Sequence, residues 1–475
     1  MSTVKKIAYN TFIQMIGRVF SILFGVLTIG IVTRHLGVGG FGMYTKVFTF
    51  FQIFGVILDL GLYNVTLKLI SHEDDKNSET IINKILTLRL LLNLFFLIVP
   101  FFCLLLNYEL IVKQSIFILS GIFLFSNLAQ IFSVLFQKKL DTGPIILSEV
   151  ISRILYFIFV FIAYKLDLGL TYVIVANVIS STVGFFIIYF ATKKYIKMKL
   201  IFDKAFFKEA LKMSWPFALS IIFNLIYFRA DTFLLTILKS NEDVGIYSAA
   251  YKVLEIYIGI PAILVSLILP ILDQSYKNRD LEKFNRIIQK IFDFFMMIIF
   301  PIIVGGFLLS KDIMALLAGQ DFSSAAPILS ILTIVMGIIT MSAIYTNTVI
   351  AVNEQKRMTL VYLIAAILSI ILYGIFIPIY SYSLIPYLKI IIEGFVLISA
   401  FILTQKNIKK MPSLKSFPKI LIASLFMGIG IYLLKVKLDS NIFLTLPSAV
   451  LIYFSVLFSI GGIDKEIVKE LLNKS

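Results

Sequence analysis

Along most of this chain, apolar residues run for about twenty positions and then give way to short polar breaks rich in lysine. A bilayer core is crossed by about 20 mostly apolar residues in an α-helix, so each run predicts a transmembrane helix. The runs fall at 11–33, 41–62, 81–106, 114–136, 145–164, 170–191, 214–238, 244–271, 287–309, 325–350, 358–379, 384–404, 417–434 and 441–461, fourteen in all. The expected fold class is therefore an all-α integral membrane protein.

The polar breaks test that count, because cytoplasmic connections retain Lys and Arg. With the N-terminus inside, the cytoplasmic side carries Lys68, Lys76 and Lys84, then Lys138 and Lys139, then seven lysines between 193 and 212. It continues with Lys277, Arg279, Lys283 and Arg286, then Lys356 and Arg357, then Lys406, Lys409, Lys410 and Lys415, and ends with Lys465, Lys469 and Lys474. The other side has only scattered cations: Arg34, Lys113, Lys165, Lys239, Lys311, Lys435 and Lys437. The alternation holds through all fourteen spans and predicts both termini in the cytoplasm. The longest cytoplasmic connection, TKKYIKMKLIFDKAFFKEALKM at 192–213, predicts an amphipathic surface helix with Phe206, Phe207, Ala210 and Leu211 on one face.

That connection separates two stretches that echo each other. FGMYTKVFTFFQIFGVI at 41–57 lies on VGIYSAAYKVLEIYIGI at 244–260, matching Gly42 to Gly245, Tyr44 to Tyr247 and Gln52 to Glu255. Gln137-Lys138-Lys139 after the fourth span has its echo in Gln355-Lys356-Arg357 after the tenth. The expected organisation is an N-terminal lobe of six spans at 1–191, a basic linker at 192–213, a second six-span lobe at 214–404, and two further spans with a tail at 405–475. An even number of spans per half makes the repeats parallel, an arrangement found in transporters that bind substrate between halves and rock one against the other.

Composition narrows the function. The chain is 59% hydrophobic and 15% charged, with a mean hydropathy of +0.98, which places its chemistry within or beside a membrane. A net charge of +16 would suggest nucleic acid if the cations formed one soluble face, but here they lie between apolar spans. The lone Cys103 has no disulfide partner in the chain, and His35 and His72 read as loop-edge residues, too few for a metal site. Lys5 and Lys6 precede a long apolar stretch with no small-residue cleavage site, which reads as a retained first span.

Charges inside the spans are the candidate chemistry, since each costs about 2.5–3.5 kcal/mol at the bilayer centre unless paired or hydrated. The basic ones are Arg18, Lys46, Arg89, Arg153, Arg229, Lys252, Lys290 and Lys389; the acidic ones are Asp59, Glu149, Asp231, Glu255, Asp293 and Glu393. Glu149 with Arg153, Lys389 with Glu393 and Lys290 with Asp293 have the three- or four-residue spacing of same-face helix pairs and read as structural. Arg18, Lys46, Arg229 and Lys252 lie in spans one, two, seven and eight, the first pairs of the two halves, with Asp59, Asp231 and Glu255 as counter-charges. A cavity holding those cations suits an anionic head group, because Arg and Lys bind phosphate strongly where water is scarce.

HLGVGGFGMYTKVFTFFQIFGVILDLGL at 35–62, LPILDQSYKNRDLEKFNRI at 269–287 and LAGQDFSSAAPILSIL at 317–332 resemble motifs of Wzx-type polysaccharide flippases. These belong to the multidrug/oligosaccharidyl-lipid/polysaccharide exporter superfamily. Gly17-Arg18-Val19-Phe20 and Tyr251-Lys252-Val253-Leu254-Glu255 are similar to motifs of its lipid II branch, whereas the Asp-Leu-Gly-Leu form at Asp59 is similar to the oligosaccharide branch. The resemblance implies a two-lobed bundle with a cationic cavity lined by spans one, two, seven and eight. It implies transport, not catalysis: a polyprenyl-pyrophosphate-linked oligosaccharide carried to the outer leaflet of the cell membrane for O-antigen- or capsule-type polysaccharides. Membrane lipids and other polysaccharide-assembly proteins would be its partners, with no cofactor, and with H⁺, Na⁺ or the membrane potential as the driving force. Alternatives are a multidrug antiporter for organic cations, which wants an acidic cavity, and a membrane-embedded polymerase or ligase, which wants a large external catalytic loop.

Overall fold

A computed structural model describes residues 3–462 apart from 72 and 409–410, which leaves His72, Lys409, Lys410 and the tail lysines outside the described residues. Every described element is helical. α1 (Thr3–Asp59) holds the first two predicted spans, which meet at Gly37, where φ of 66° and ψ of −175° break the helix. Such a backbone is open to glycine because it has no Cβ to clash with the neighbouring carbonyl. A left-handed Gly61 then starts a short helix that hydropathy did not predict, α2 (Leu62–Ile70).

From there helix and span numbers coincide. α3 (Asp75–Phe96), α4 (Leu110–Lys138), α5 (Gly143–Lys165), α6 (Leu170–Thr192) and α7 (Lys204–Leu238) complete the first half of the chain. α8 (Asn241–Lys277), α9 (Leu281–Leu317), α10 (Ala326–Ala351), α11 (Gln355–Tyr380), α12 (Ile385–Ile408), α13 (Phe417–Val436) and α14 (Ile442–Ser459) follow. Side chains set several of the starts: Asp74, Asp203, Asp280 and Asn441 each accept a first-turn backbone N–H that would otherwise lack a partner.

Twelve described helical stretches are long and apolar enough to cross a membrane. One of them, Ile16–Gly55, is the kinked stretch that contains two predicted spans, and α8 carries the eighth span outside the twelve. The fourteen predicted runs are thus all helical. Many large apolar side chains point outward, among them Phe95, Leu105 and Phe443, as hydrocarbon surroundings require.

The chain forms two compact units, Met1–Gly245 and Ile246–Ser475, with the division inside α8. In the first, α4 and α5 pack on α6, and α1 packs on α5 and α7. Phe206, Phe207, Ala210 and Leu211 do form one apolar face, but as the opening turns of α7, and that face packs on Leu62, Ile70, Ile82 and Ile131. In the second unit α10 packs on α9 and α12, while α13 and α14 pack together and against α9. Leu309, Ile420, Ala423, Tyr453 and Leu457 form the core of that last group.

Candidate functional site

Lys252 and Glu255 are three residues apart on α8, and their side chains meet at 2.6 Å from Nζ to Oε2. The pair keeps 28% and 17% of its side-chain surface exposed within a largely apolar helix. An ammonium held this way is neutralised yet still reachable by a stronger anion. The neighbouring Tyr251 faces inward and presents its ring to a second cation, Lys389 of α12, whose Nζ lies 5.0 Å from the ring centroid. Lys389 and Glu393, four residues apart on α12, are 1% and 2% exposed. These two cations therefore differ in kind: Lys252 is open to a ligand and Lys389 is part of the core.

In the first unit Lys46 is buried on α1. Its Nζ lies 3.9 Å from Glu109 and 5.4 Å from the centre of the Tyr108 ring, both in the turn before α4. Glu109 also accepts from Asn241 Nδ2 at 2.9 Å, and the Tyr108 and Thr236 hydroxyls are 3.0 Å apart. Burial, outweighing its bond to Thr236, pushes the Tyr108 hydroxyl up to about 12, so it stays protonated and neutral. Helix α1, the turn before α4, the end of α7 and the start of α8 are thus tied at one place.

Glycine makes that contact close. A Cβ on Gly42 would lie 2.6 Å from the carbonyl carbon of Asn241, and one on Gly245 would lie 3.0 Å from that of Val38 and 3.2 Å from the backbone nitrogen of Gly42. The two glycines matched by the sequence repeat therefore meet each other.

The remaining predicted residues lie on α1 and α7. Arg229 is half-buried on α7 with its guanidinium 5.7 Å from the Phe228 ring centre, and Asp231 is fully buried, accepting the Thr232 backbone N–H at 2.6 Å. Arg18 is exposed on α1. The side chain of Asp59 lies outside the described residues. Of the predicted set, Lys252 and Glu255 are brought together, whereas Lys46 is engaged by Glu109, a residue the spans gave no reason to choose. Among the described residues, no group of three or more His, Cys, Asp or Glu side chains is placed to hold a metal ion.

A further feature had no sequence signal. In the second unit a cavity of about 420 Å³ is walled by Val253, Met297, Pro301, Ile302, Leu309 and Ile431, with other apolar side chains of α9, α13 and α14. Its lining suits hydrocarbon. Each wall residue lies in an unremarkable apolar run, so only the packing reveals it.

Known structures share this fold. The lipid II flippase MurJ in an inward closed conformation superposes with a TM-score of 0.76 at 20% identity, covering 96% of this chain and 99% of its own. An inward-facing multidrug resistance MATE family transporter of the MOP superfamily gives 0.64 at 16% identity, over 82% of this chain and 93% of its own. A MOP superfamily transporter from Pyrococcus furiosus, noted for reverse polarity of its binding pocket, gives 0.58 at 16% identity, over 86% and 97%. No curated protein matches the chain. Residues 5–276, more than half of the sequence, match the family described as polysaccharide biosynthesis protein, and the chain belongs to that family.

Proposed function

We propose that this protein moves a polyprenyl-pyrophosphate-linked oligosaccharide from the cytoplasmic to the outer leaflet of the cell membrane. The observation that carries the reading is the Lys252–Glu255 pair, a reachable cation in a membrane-embedded helix of a polysaccharide biosynthesis family member. Unaided, the sugars and pyrophosphate would cross hydrocarbon with their polar groups unsatisfied, at prohibitive cost. Arg18, Arg229 and Lys252 are the cations we assign to the pyrophosphate, with Asp231 and Glu255 as counter-charges and Asp59 as a further candidate. Lys46 we assign to the cluster around Glu109, which holds the outer ends of its helices together. The apolar cavity beside α9, α13 and α14 suits part of the prenyl chain.

The six-span halves 1–191 and 214–404 are the moving bodies in this scheme, joined by 192–213 and followed by 405–475, with both termini cytoplasmic. A cytoplasm-negative potential favours outward passage of an anion by about 2.3 kcal/mol per charge per 100 mV, and H⁺ or Na⁺ exchange would serve equally. The fold is also that of MATE transporters, which makes export of organic cations the alternative; the ammonium of Lys252 disfavours a cationic cargo.

The test is the leaflet distribution of the lipid-linked glycan in cells lacking the protein. The expected result is intact glycolipid confined to the inner leaflet, restored by the wild type and not by Lys252→Ala or Arg18→Ala. Failure to assemble the glycan on its lipid would support an enzyme instead.

A further inference from the structure

The charged residues leave one cavity of the first unit without a role. It opens among α1, α4, α6 and α7, has a volume of about 450 Å³, and is lined by Gln52, Ser126, Gln130 and Asn177 together with the rings of Phe48 and Phe51. Its size falls in the range of about 300–1,000 Å³ typical of small-molecule sites. No Lys, Arg, Asp or Glu appears among its described lining residues. Four carboxamides, Asn127 among them, and a hydroxyl line one space, and in segments otherwise made for lipid they are costly unless something polar occupies it.

Two of these amides, Gln130 and Asn127, are held from behind. Arg89 is 1% exposed, and its guanidinium donates to the Asn127 carbonyl at 3.0 Å and to Gln130 Oε1 at 3.4 Å. Asn127 donates in turn to Asn93 at 3.1 Å. A guanidinium offers donors only, so Gln130 turns its oxygen toward Arg89 and leaves its NH₂ for the cavity. Asn177 has the Tyr156 hydroxyl as a polar neighbour. Polar groups set by their own supports bind without first being ordered.

The chemistry excludes most occupants. A phosphate would find no cation in the lining, an organic cation no carboxylate, and a hydrocarbon chain would leave the amides unpaired. A neutral sugar fits each property: its hydroxyls donate and accept as carboxamides do, and its C–H faces pack on aromatic rings.

We propose that this cavity recognises a neutral sugar residue of the lipid-linked glycan, separately from the cations that take its pyrophosphate. The inference rests on the flippase reading above.

The test compares two probes on the full-length protein in nanodiscs: polyprenyl pyrophosphate without sugar, and the same lipid carrying a neutral disaccharide. Native mass spectrometry reads the affinity of each. The wild type is expected to prefer the glycosylated lipid by about tenfold or more, a difference of about 1.4 kcal/mol. Gln130→Leu and Asn177→Leu should abolish that preference while holding the bare lipid within about twofold of wild type, which also reports an intact fold. Gln52→Ala and Ser126→Ala, which remove less, should reduce it in the same direction. An undiminished preference in all four variants, or equal loss of both lipids, overturns the sugar site alone. A wild type that binds neither lipid overturns the flippase reading and the site together.

Discussion

Replacing Gly42 with alanine places a methyl group 2.6 Å from the carbonyl carbon of Asn241 and 3.0 Å from its Cα. Ordinary contact at such a Cβ begins near 3.4 Å, and the obstruction is backbone, which has no rotamer to yield. The helix ends must therefore separate by most of an ångström or strain in place, at a cost of about 1–3 kcal/mol. Alanine also gains about 1 kcal/mol over glycine in helix propensity, but that gain is the same whether the ends are together or apart and cancels. A bias of about 1–3 kcal/mol shifts the ratio of joined to separated ends roughly 5–150-fold. Cys103 is the sole cysteine, so a Cys103→Ser background with Gly39→Cys and Glu242→Cys reports the contact through a short bifunctional thiol reagent. A Cβ at position 39 would lie 3.1 Å from the Glu242 carboxylate, which makes the pair close enough to bridge. Gly42→Ala should reduce the cross-linking rate at least about fivefold. Gly25→Ala, whose methyl would meet nothing within 4 Å, should leave it unchanged. Equal rates in the two variants would refute the claim that glycine close packing holds these ends together.

Other expectations follow from the charges. Lys252→Ala should abolish rescue of glycolipid translocation while Lys252→Arg retains it, measured as outer-leaflet glycolipid; retention by the alanine variant would reduce Lys252 and Glu255 to a packing pair. Glu393→Ala removes a carboxylate from the helix that carries the buried Lys389 ammonium, and should destabilise the protein by about 3–5 kcal/mol in detergent unfolding. The double change Lys389→Met with Glu393→Leu should recover much of that loss, since an apolar pair of similar volume needs no solvation. The Lys84 ammonium, then the Phe206 backbone N–H, hold the half-buried Asp203 carboxyl below its ordinary range. A depressed carboxylate contributes above its unfolded value and loses that contribution as the pH falls through its folded one. Proteolysis of the 193–203 segment should therefore stay flat from about pH 7 to about pH 5 and rise below about pH 4, whereas Asp203→Asn should be cleaved readily throughout.

Span positions were legible because a bilayer imposes one length on every crossing, and the apolar runs carry that length whatever packs against them. α2 was not, since nine residues interrupted by Asn64 and Lys68 look like a polar break until Gly61 turns them onto α3 and α4. The amphipathic face at Phe206–Leu211 was visible as a pattern, but not its partner: the periodicity that seats a helix on lipid also seats it on Ile82 and Ile131. Spacing likewise licensed Lys290 with Asp293, yet Asp293 accepts from Gln289 at 3.0 Å, and Gln289 also binds the backbone of Ser413. Lys46 met Glu109 through a turn that local pattern could not link to it. Helix periodicity says which side chains share a face, and tertiary packing decides what that face meets.

The internal repeat shows what such packing adds. Gly42 and Gly245 occupy the same repeat position and serve one purpose, close approach of backbones. Gln52 and Glu255 also occupy one position, ten residues further along, and have diverged in chemistry. Gln52 lines an uncharged cavity walled by amides and rings, while Glu255 holds the ammonium of Lys252. A lipid-linked glycan has the same division along its own length, neutral hydroxyls at one end and a dianionic linkage at the other. If the two positions recognise those two parts, Gln52→Glu should weaken the glycosylated lipid more than the bare one, by placing a carboxylate where a neutral amide meets sugar. Glu255→Gln should act on both lipids alike, through the pyrophosphate they share, by freeing Lys252 of its internal partner. The reverse assignment of the two effects in the nanodisc binding assay would show that the halves do not divide the substrate in this way.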